Sequence, residues 1–283
     1  MNKLSRKIRL MIMILSFVLL VYGGRFITPS VKVALPVFNC PYNLDTLVEG
    51  SCLYITEWSD YLVGSNILSD LGRLFLIYGS TFLAILAFGK LWCGYVCPFG
   101  FIQEVLYKIR AFFGLKVITF NQKHKSYFKI IKYGLLSIFV IGLGFCEICP
   151  VRFVIPPLNG VATNLSIGIV ASIAVVTMAL FSERFFCRIC PMGAFIGLFH
   201  KITPWRIKKD CTSCTACGIC YEVCPMDIKE IYTERENEDV TDSDCIFCNK
   251  CIDNCPEKEA LSLAVGPVKV YKASRKNYYN NNL

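Results

Sequence analysis

Cys214-Thr-Ala-Cys217-Gly-Ile-Cys220-Tyr-Glu-Val-Cys224-Pro225 and Cys245-Ile-Phe-Cys248-Asn-Lys-Cys251-Ile-Asp-Asn-Cys255-Pro256 share one spacing, Cys-x2-Cys-x2-Cys-x3-Cys-Pro. Three cysteines at i, i+3 and i+6 on a tight loop can wrap one face of a cubane cluster, and the fourth corner takes a ligand from elsewhere. In two-cluster proteins of bacterial type the cysteine before the proline ligates the other cluster. The runs therefore predict two [4Fe–4S] clusters, one on Cys214, Cys217, Cys220 and Cys255 and the other on Cys245, Cys248, Cys251 and Cys224. Zinc is the competing reading, but zinc motifs are spaced pairs rather than a repeated 2-2-3 run. Cys211 precedes Cys214 by three residues. A register beginning there breaks the Cys-Pro ending, which leaves Cys211 as a spare thiol or a ligand that can swap in.

The rest of the chain is apolar. Of 283 residues 54% are hydrophobic, and the mean hydropathy is +0.49. Seventeen cysteines are too many for a cytosolic enzyme without metal, and an odd number cannot all form disulfides. The net charge is +9, but the basic residues crowd beside apolar runs. That placement suits lipid headgroups and membrane orientation rather than nucleic acid, so no nucleic-acid partner is expected.

Apolar runs at about 8–24, 71–89, 130–146 and 161–181 predict transmembrane helices. The expected fold is membrane α-helical, with about four transmembrane helices in a domain at 1–205. A C-terminal α+β ferredoxin domain of the bacterial two-cluster type follows at 206–266, then a disordered tail at 267–283. Lys3, Arg6, Lys7 and Arg9 precede the first run, and no small-x-small cleavage site follows it, so it reads as a retained anchor. Lys and Arg are dense in 1–9 and 90–132 and sparse in 25–70. A multi-pass protein of the cell membrane is expected, with the N-terminus and the ferredoxin domain cytoplasmic.

Besides Cys211, eight cysteines lie outside the two runs. Phe88-Gly-Lys-Leu-Trp-Cys93-Gly-Tyr-Val-Cys97-Pro98-Phe-Gly100 repeats as Phe181-Ser-Glu-Arg-Phe-Phe-Cys187-Arg-Ile-Cys190-Pro191-Met-Gly193, and each copy leads into an amphipathic stretch. The predicted topology puts Cys93, Cys97, Cys187 and Cys190 at the inner face and Cys40, Cys52, Cys146 and Cys149 at the outer face. Four is the number of ligands a [4Fe–4S] cluster needs. The inner four are read as a further cluster site against the alternative of buried free thiols. The outer four are read as a cluster or as disulfides, with a redox-active Cys146/Cys149 dithiol a third reading.

Only two histidines occur, His124 and His200, and both are expected at the surface. No Cys-x-x-Cys-His marks a c-type haem, and neither a Gly-x-Gly-x-x-Gly nor a Walker A loop marks a nucleotide site. Arg73, Lys90, Glu104 and Arg184 sit at helix ends, where a charge reads as an anchor before it reads as a contact to a quinone headgroup.

With these residues in view, the chain resembles the membrane-bound polyferredoxins of the NapH/NosR type from about Asn39 to Leu263. The resemblance rests on Trp92-Cys93-Gly94-x-x-Cys97-Pro98-x-Gly100, Cys187-Arg-Ile-Cys190-Pro191-x-Gly193-Ala194, the double cysteine run that follows, and Cys40-Pro41-Tyr42. It implies four transmembrane helices, cytoplasmic clusters, and electron transfer between a quinone pool or cytoplasmic donor and a partner redox protein. The second motif is shorter than that family's pattern, and Cys146-x2-Cys149-Pro150 is additional. The expected function is an iron–sulfur relay of single electrons, an electron-transfer subunit or quinol dehydrogenase component rather than a stand-alone enzyme. The alternatives are an accessory, assembly or metal-reducing protein of a respiratory enzyme, and a membrane-anchored redox sensor.

Overall fold

The structure is a computed structural model that describes residues 2–26, 82–114, 122–141 and 167–275, with single residues at 79, 116, 118 and 154. Helices α1 (Asn2–Phe26), α2 (Leu91–Tyr95), α3 (Pro98–Phe112), α4 (Gln122–Ile141), α5 (Ile167–Phe181), α6 (Phe185–Ile189) and α7 (Pro191–Leu198) form the N-terminal part. Strand β1 (Trp205–Lys209), short helices α8 (Ile219–Glu222), α9 (Glu230–Thr233) and α10 (Lys250–Asp253), and strands β2 (Leu261–Val265) and β3 (Val268–Lys272) form the C-terminal part.

Cys97-Pro98 and Cys190-Pro191 each start a helix. A proline pushes the residue before it into extended backbone, and its missing N–H costs nothing at the first helical position. Cys97 (φ −59°, ψ 115°) accordingly caps α3, and Cys190 (φ −66°, ψ 121°) caps α7. A five-residue helix precedes each, α2 with Cys93 at its centre and α6 with Cys187 at its centre. Helix α3 packs on α1 and α5, while α4 packs on α6 and α7. Phe99 of α3 and Phe186 of α6 meet edge to face at 4.9 Å, beside Val175 of α5.

In the C-terminal part β2 lies between β1 and β3, antiparallel to both, with Ile207 opposite Leu263 and Ser262 opposite Lys272. Ile207, Ile228, Ile231, Ile246, Phe247, Ile252 and Leu261 fill the space between this sheet and the cysteine loops. Strand β3 falls within 267–283, the segment expected as a tail, and its Val268, Lys269, Tyr271 and Lys272 pair with Val265, Ala264, Leu263 and Ser262 of β2.

The expected four-transmembrane fold is corrected by the structure. Among the described residues no helix is long and apolar enough to cross a membrane. Helix α5 has 15 residues, or roughly 22 Å at 1.5 Å per residue, against about 30 Å of hydrocarbon. Helices α1 and α4 are longer, but each carries a charge that is used inside the protein. Arg9 of α1 is buried against Glu104, and Lys132 of α4 is buried against Asp244. Of the run at 71–89, residues 82–88 are helical and the chain turns at Gly89, where φ is +50°. The sidedness derived from Lys and Arg was built on those four spans and falls with them.

Two buried charge clusters tie the elements together, the first within the N-terminal part and the second across to the C-terminal part. Glu104 accepts from Arg9 at 2.7 Å and from Arg184 at 3.0 Å, tying α3 to α1 and to the α5–α6 turn. Asp244, beside the second cysteine run, pairs with Lys132 and lies 3.6 Å from Lys90. Burial alone would raise both carboxyls, but their cationic neighbours outweigh it and hold each at about 2. A folded-state pKa below the ordinary value stabilises the fold above that value and stops doing so as the pH falls through the lowered one. Unfolding monitored by circular dichroism is therefore expected to begin as the pH drops below the ordinary carboxylate range and to be complete near pH 2. A chain equally stable at pH 6 and pH 2.5 would contradict this.

Candidate iron–sulfur site

The two cysteine runs wind in the same way. Ala216 (φ 55°) and Gly218 (φ 82°) follow Cys214 at the second and fourth positions, and Phe247 (φ 52°) and Asn249 (φ 61°) follow Cys245 at the same offsets. Left-handed backbone is disfavoured for alanine and phenylalanine. Left-handed residues of this kind belong to the backbone pattern by which anion-binding nests turn N–H groups to one side. Helices α8 and α10 then begin at Gly218 and Asn249 and carry the third cysteine of each run, Cys220 and Cys251.

The folded chain brings the predicted partners together. One small recess is lined by Cys214, Cys217, Cys220 and Cys255, and another by Cys224, Cys245, Cys248 and Cys251. Burial, then the neighbouring thiols Cys214, Cys217 and Cys255, push Cys220 up to about 12. Burial and Cys248 push Cys224 up to about 11. Thiols so crowded cannot all ionise without a compensating cation, and a metal that binds thiolate supplies it and releases protons. A single zinc ion would gather its sulfurs to roughly 3.8 Å apart, given Zn–S bonds of about 2.3 Å. Among the described residues no three Cys, His, Asp or Glu side chains converge as a single metal ion requires. Four cysteines line each recess, the number of thiolates a [4Fe–4S] cluster takes.

The Cys-Pro motifs make a third gathering. Cys93 lies close enough to Cys97, Cys187 and Cys190 for all three to raise its pKa, on top of burial, and Lys90 opposes them. Burial and then Cys187 push the Cys97 thiol up, while the backbone N–H groups of Gly100 and Phe99, at the open start of α3, and Arg184 oppose them. Gln103 Nε2 is 3.7 Å from Cys187 Sγ, and its Oε1 accepts the Phe186 N–H at 2.8 Å. Arg184 is fully buried and donates to the Cys93 carbonyl at 2.8 Å and to Glu104. All thirteen cysteines among the described residues are free thiols. Cys211 is one of them, half-buried and outside both recesses. Cys40, Cys52, Cys146 and Cys149, read as an outer-face set, lie outside the described residues.

Several residues that sequence reasoning set aside sit at this centre. Lys90, Glu104 and Arg184 read as surface anchors, yet each is at most 5% exposed. His200 is buried rather than at the surface, stacked on Phe247 at 5.3 Å between rings. Gln103 and Glu104, an adjacent polar pair inside the otherwise apolar stretch 98–106, were the available signal.

Two loops of matching winding closed by cysteine quartets define an iron–sulfur protein of the ferredoxin class. Comparison with known proteins agrees. Residues 71–116 and 163–210 match the family described as a 4Fe-4S binding domain, one copy over each Cys-Pro motif, and residues 206–256 match a 4Fe-4S dicluster domain. Protein MJ0750 of Methanocaldococcus jannaschii is 32% identical over 63% of this chain and 74% of its own. Ferredoxin-type protein NapH of Escherichia coli is 29% identical over 62% of this chain and 63% of its own. The putative electron transport protein YccM of the same organism is 25% identical over 69% of this chain and 58% of its own. No solved structure matches. The chain belongs to the polyferredoxin-type iron–sulfur electron-transfer proteins.

Proposed function

We propose that the chain relays single electrons through three [4Fe–4S] clusters. Cys214, Cys217, Cys220 and Cys255 hold the first, Cys245, Cys248, Cys251 and Cys224 the second, and Cys93, Cys97, Cys187 and Cys190 the third. The observation that carries this is that Cys97, Cys187 and Cys190, from two separate Cys-Pro motifs, lie within electrostatic reach of Cys93, with Cys93 and Cys187 packed against the core that contains Cys245. A cavity of about 410 Å³ opens on Cys224 and Cys248 and is lined by Arg6, Lys108, Arg188 and Lys250 among others. It offers a donor, whether a quinol or a small cytoplasmic reductant, a route to the second cluster, and a partner redox protein takes the electron onward. Anaerobic purification of the full chain should give at least about twelve iron atoms per chain if three sites fill. A value near eight would remove the third cluster from the proposal.

The relay works against a lipid surface. Met11 and Leu15 of α1, Ile130 of α4, and Val170 and Ile173 of α5 are 61–69% exposed. Large apolar side chains exposed in such numbers mark an interaction surface, and basic residues beside them attract anionic headgroups. The chain should float with anionic phospholipid vesicles on a density gradient. Remaining in the bottom fraction would rule the surface out.

A further inference from the structure

Gly94 is a helical residue with no need to be glycine for its own backbone. It lies inside α2 and is not among the residues of positive φ. A glycine in a helix costs about 1 kcal/mol relative to alanine, so something else must require it. A Cβ on Gly94 would stand 2.2 Å from the Ile246 carbonyl oxygen, 3.4 Å from its carbon and 3.7 Å from the Cys248 nitrogen. The two backbones are therefore in direct contact. Gly94 follows Cys93 immediately, and Ile246 follows Cys245 immediately.

The contact is held from several sides. Arg9 Nε donates to the Gly94 carbonyl at 3.3 Å, and Asn249 Nδ2 donates to the Tyr95 hydroxyl at 2.8 Å. Lys90, 2% exposed, sits at the same junction, near both the Cys93 and the Cys245 thiols, with its ammonium 3.6 Å from Asp244. Packing alone would be served by any small residue with room around it; this junction leaves no room for a methyl group.

We propose that the Gly94–Ile246 contact is the passage through which single electrons move between the site of the Cys-Pro motifs and the Cys245 site. One electron leaves a reduced [4Fe–4S] cluster at one site, which is oxidised by one unit, and reduces the cluster at the other. No bond breaks and no proton moves. Cys93 and Cys245 supply the covalent ends, and the two peptide groups supply the gap-free middle. The inference rests on the three-cluster reading and adds to it which pair of sites exchanges electrons and where.

The test uses the full chain, prepared anaerobically and reduced with dithionite. Iron content and the microwave-power saturation of the Cys245-site EPR signal are compared in the native chain, in Cys187→Ser/Cys190→Ser, and in Gly94→Ala. The native signal should relax fast through coupling to a neighbouring spin. The double serine variant should lose that part of the coupling. Gly94→Ala should keep its iron yet show weaker coupling, together with slower redistribution of a photo-injected electron between the two sites. Gly94→Ala with full iron and with native coupling and native rate would overturn the passage. So would a native chain whose relaxation matches the double serine variant, a comparison that stands even if Gly94→Ala does not fold. A native chain lacking the third site's iron would overturn the three-cluster reading itself, and the passage with it.

Discussion

Replacing Cys187 and Cys190 with serine is expected to remove about four iron atoms per chain and to leave about eight on the two C-terminal runs. The two residues come from a motif separated from Cys93 and Cys97 by α3, α4 and α5, yet the folded chain sets Cys97, Cys187 and Cys190 within electrostatic reach of Cys93. A serine hydroxyl is the wrong ligand for iron–sulfur chemistry, and two remaining thiols do not close a cubane. The C-terminal quartets share no cysteine with this set, so their EPR signals should persist. Iron analysis and low-temperature EPR of variant and native chains check both halves of the expectation. An unchanged iron content would show that these thiols bind no metal, and their burial would then be packing.

The second large effect is expected from Glu104→Gln. Glutamine keeps the shape of the side chain and removes the charge that Arg9 and Arg184 share. Breaking a buried ion pair by removing one partner costs about 3–5 kcal/mol, because the remaining charge is left uncompensated. Here two guanidinium groups are left so, and Arg184 is fully buried. At roughly 2–4 °C per kcal/mol for a domain of this size, the apparent Tm should fall by roughly 6–20 °C. Arg184 also holds the Cys93 carbonyl and lies against the Cys97 and Cys187 thiols. The iron lost first on warming should therefore be that of the Cys-Pro site, detectable as early bleaching of part of the visible absorbance. A Glu104→Gln chain that melts like the native one would show that the triad contributes nothing.

The parts of this molecule that were legible in its sequence are those in which spacing is the structure. The Cys-x2-Cys-x2-Cys-x3-Cys-Pro runs name both the loop and the exchange of the fourth cysteine, and the recesses gather those same quartets. The Cys-Pro motifs were legible for a similar reason, since proline dictates the backbone of its neighbour. The helices were not. Hydropathy reports that a segment avoids water without saying whether lipid or protein covers it, so 8–24 and 130–146 read as spans. Arg9 and Lys132, at or just inside the starts of those runs, turn out to be buried partners of Glu104 and Asp244. The same ambiguity hid Lys90 and Arg184. A charge at a helix end looks alike whether it reaches for solvent or for a carboxylate some 80 to 150 residues away, and only the fold supplies the carboxylate.

The near-symmetry of the two Cys-Pro motifs has a consequence for how their site assembles. Each motif offers two thiols on a short helix and at the cap of the next, which is half of the coordination sphere that the proposed third cluster would need. Two separate chains carrying one motif each would have to meet before iron could be enclosed, and their success would depend on concentration. Tethering both halves in one chain makes the second capture intramolecular, at an effective concentration on the order of millimolar. Maturation of the site then becomes independent of how much protein the cell makes.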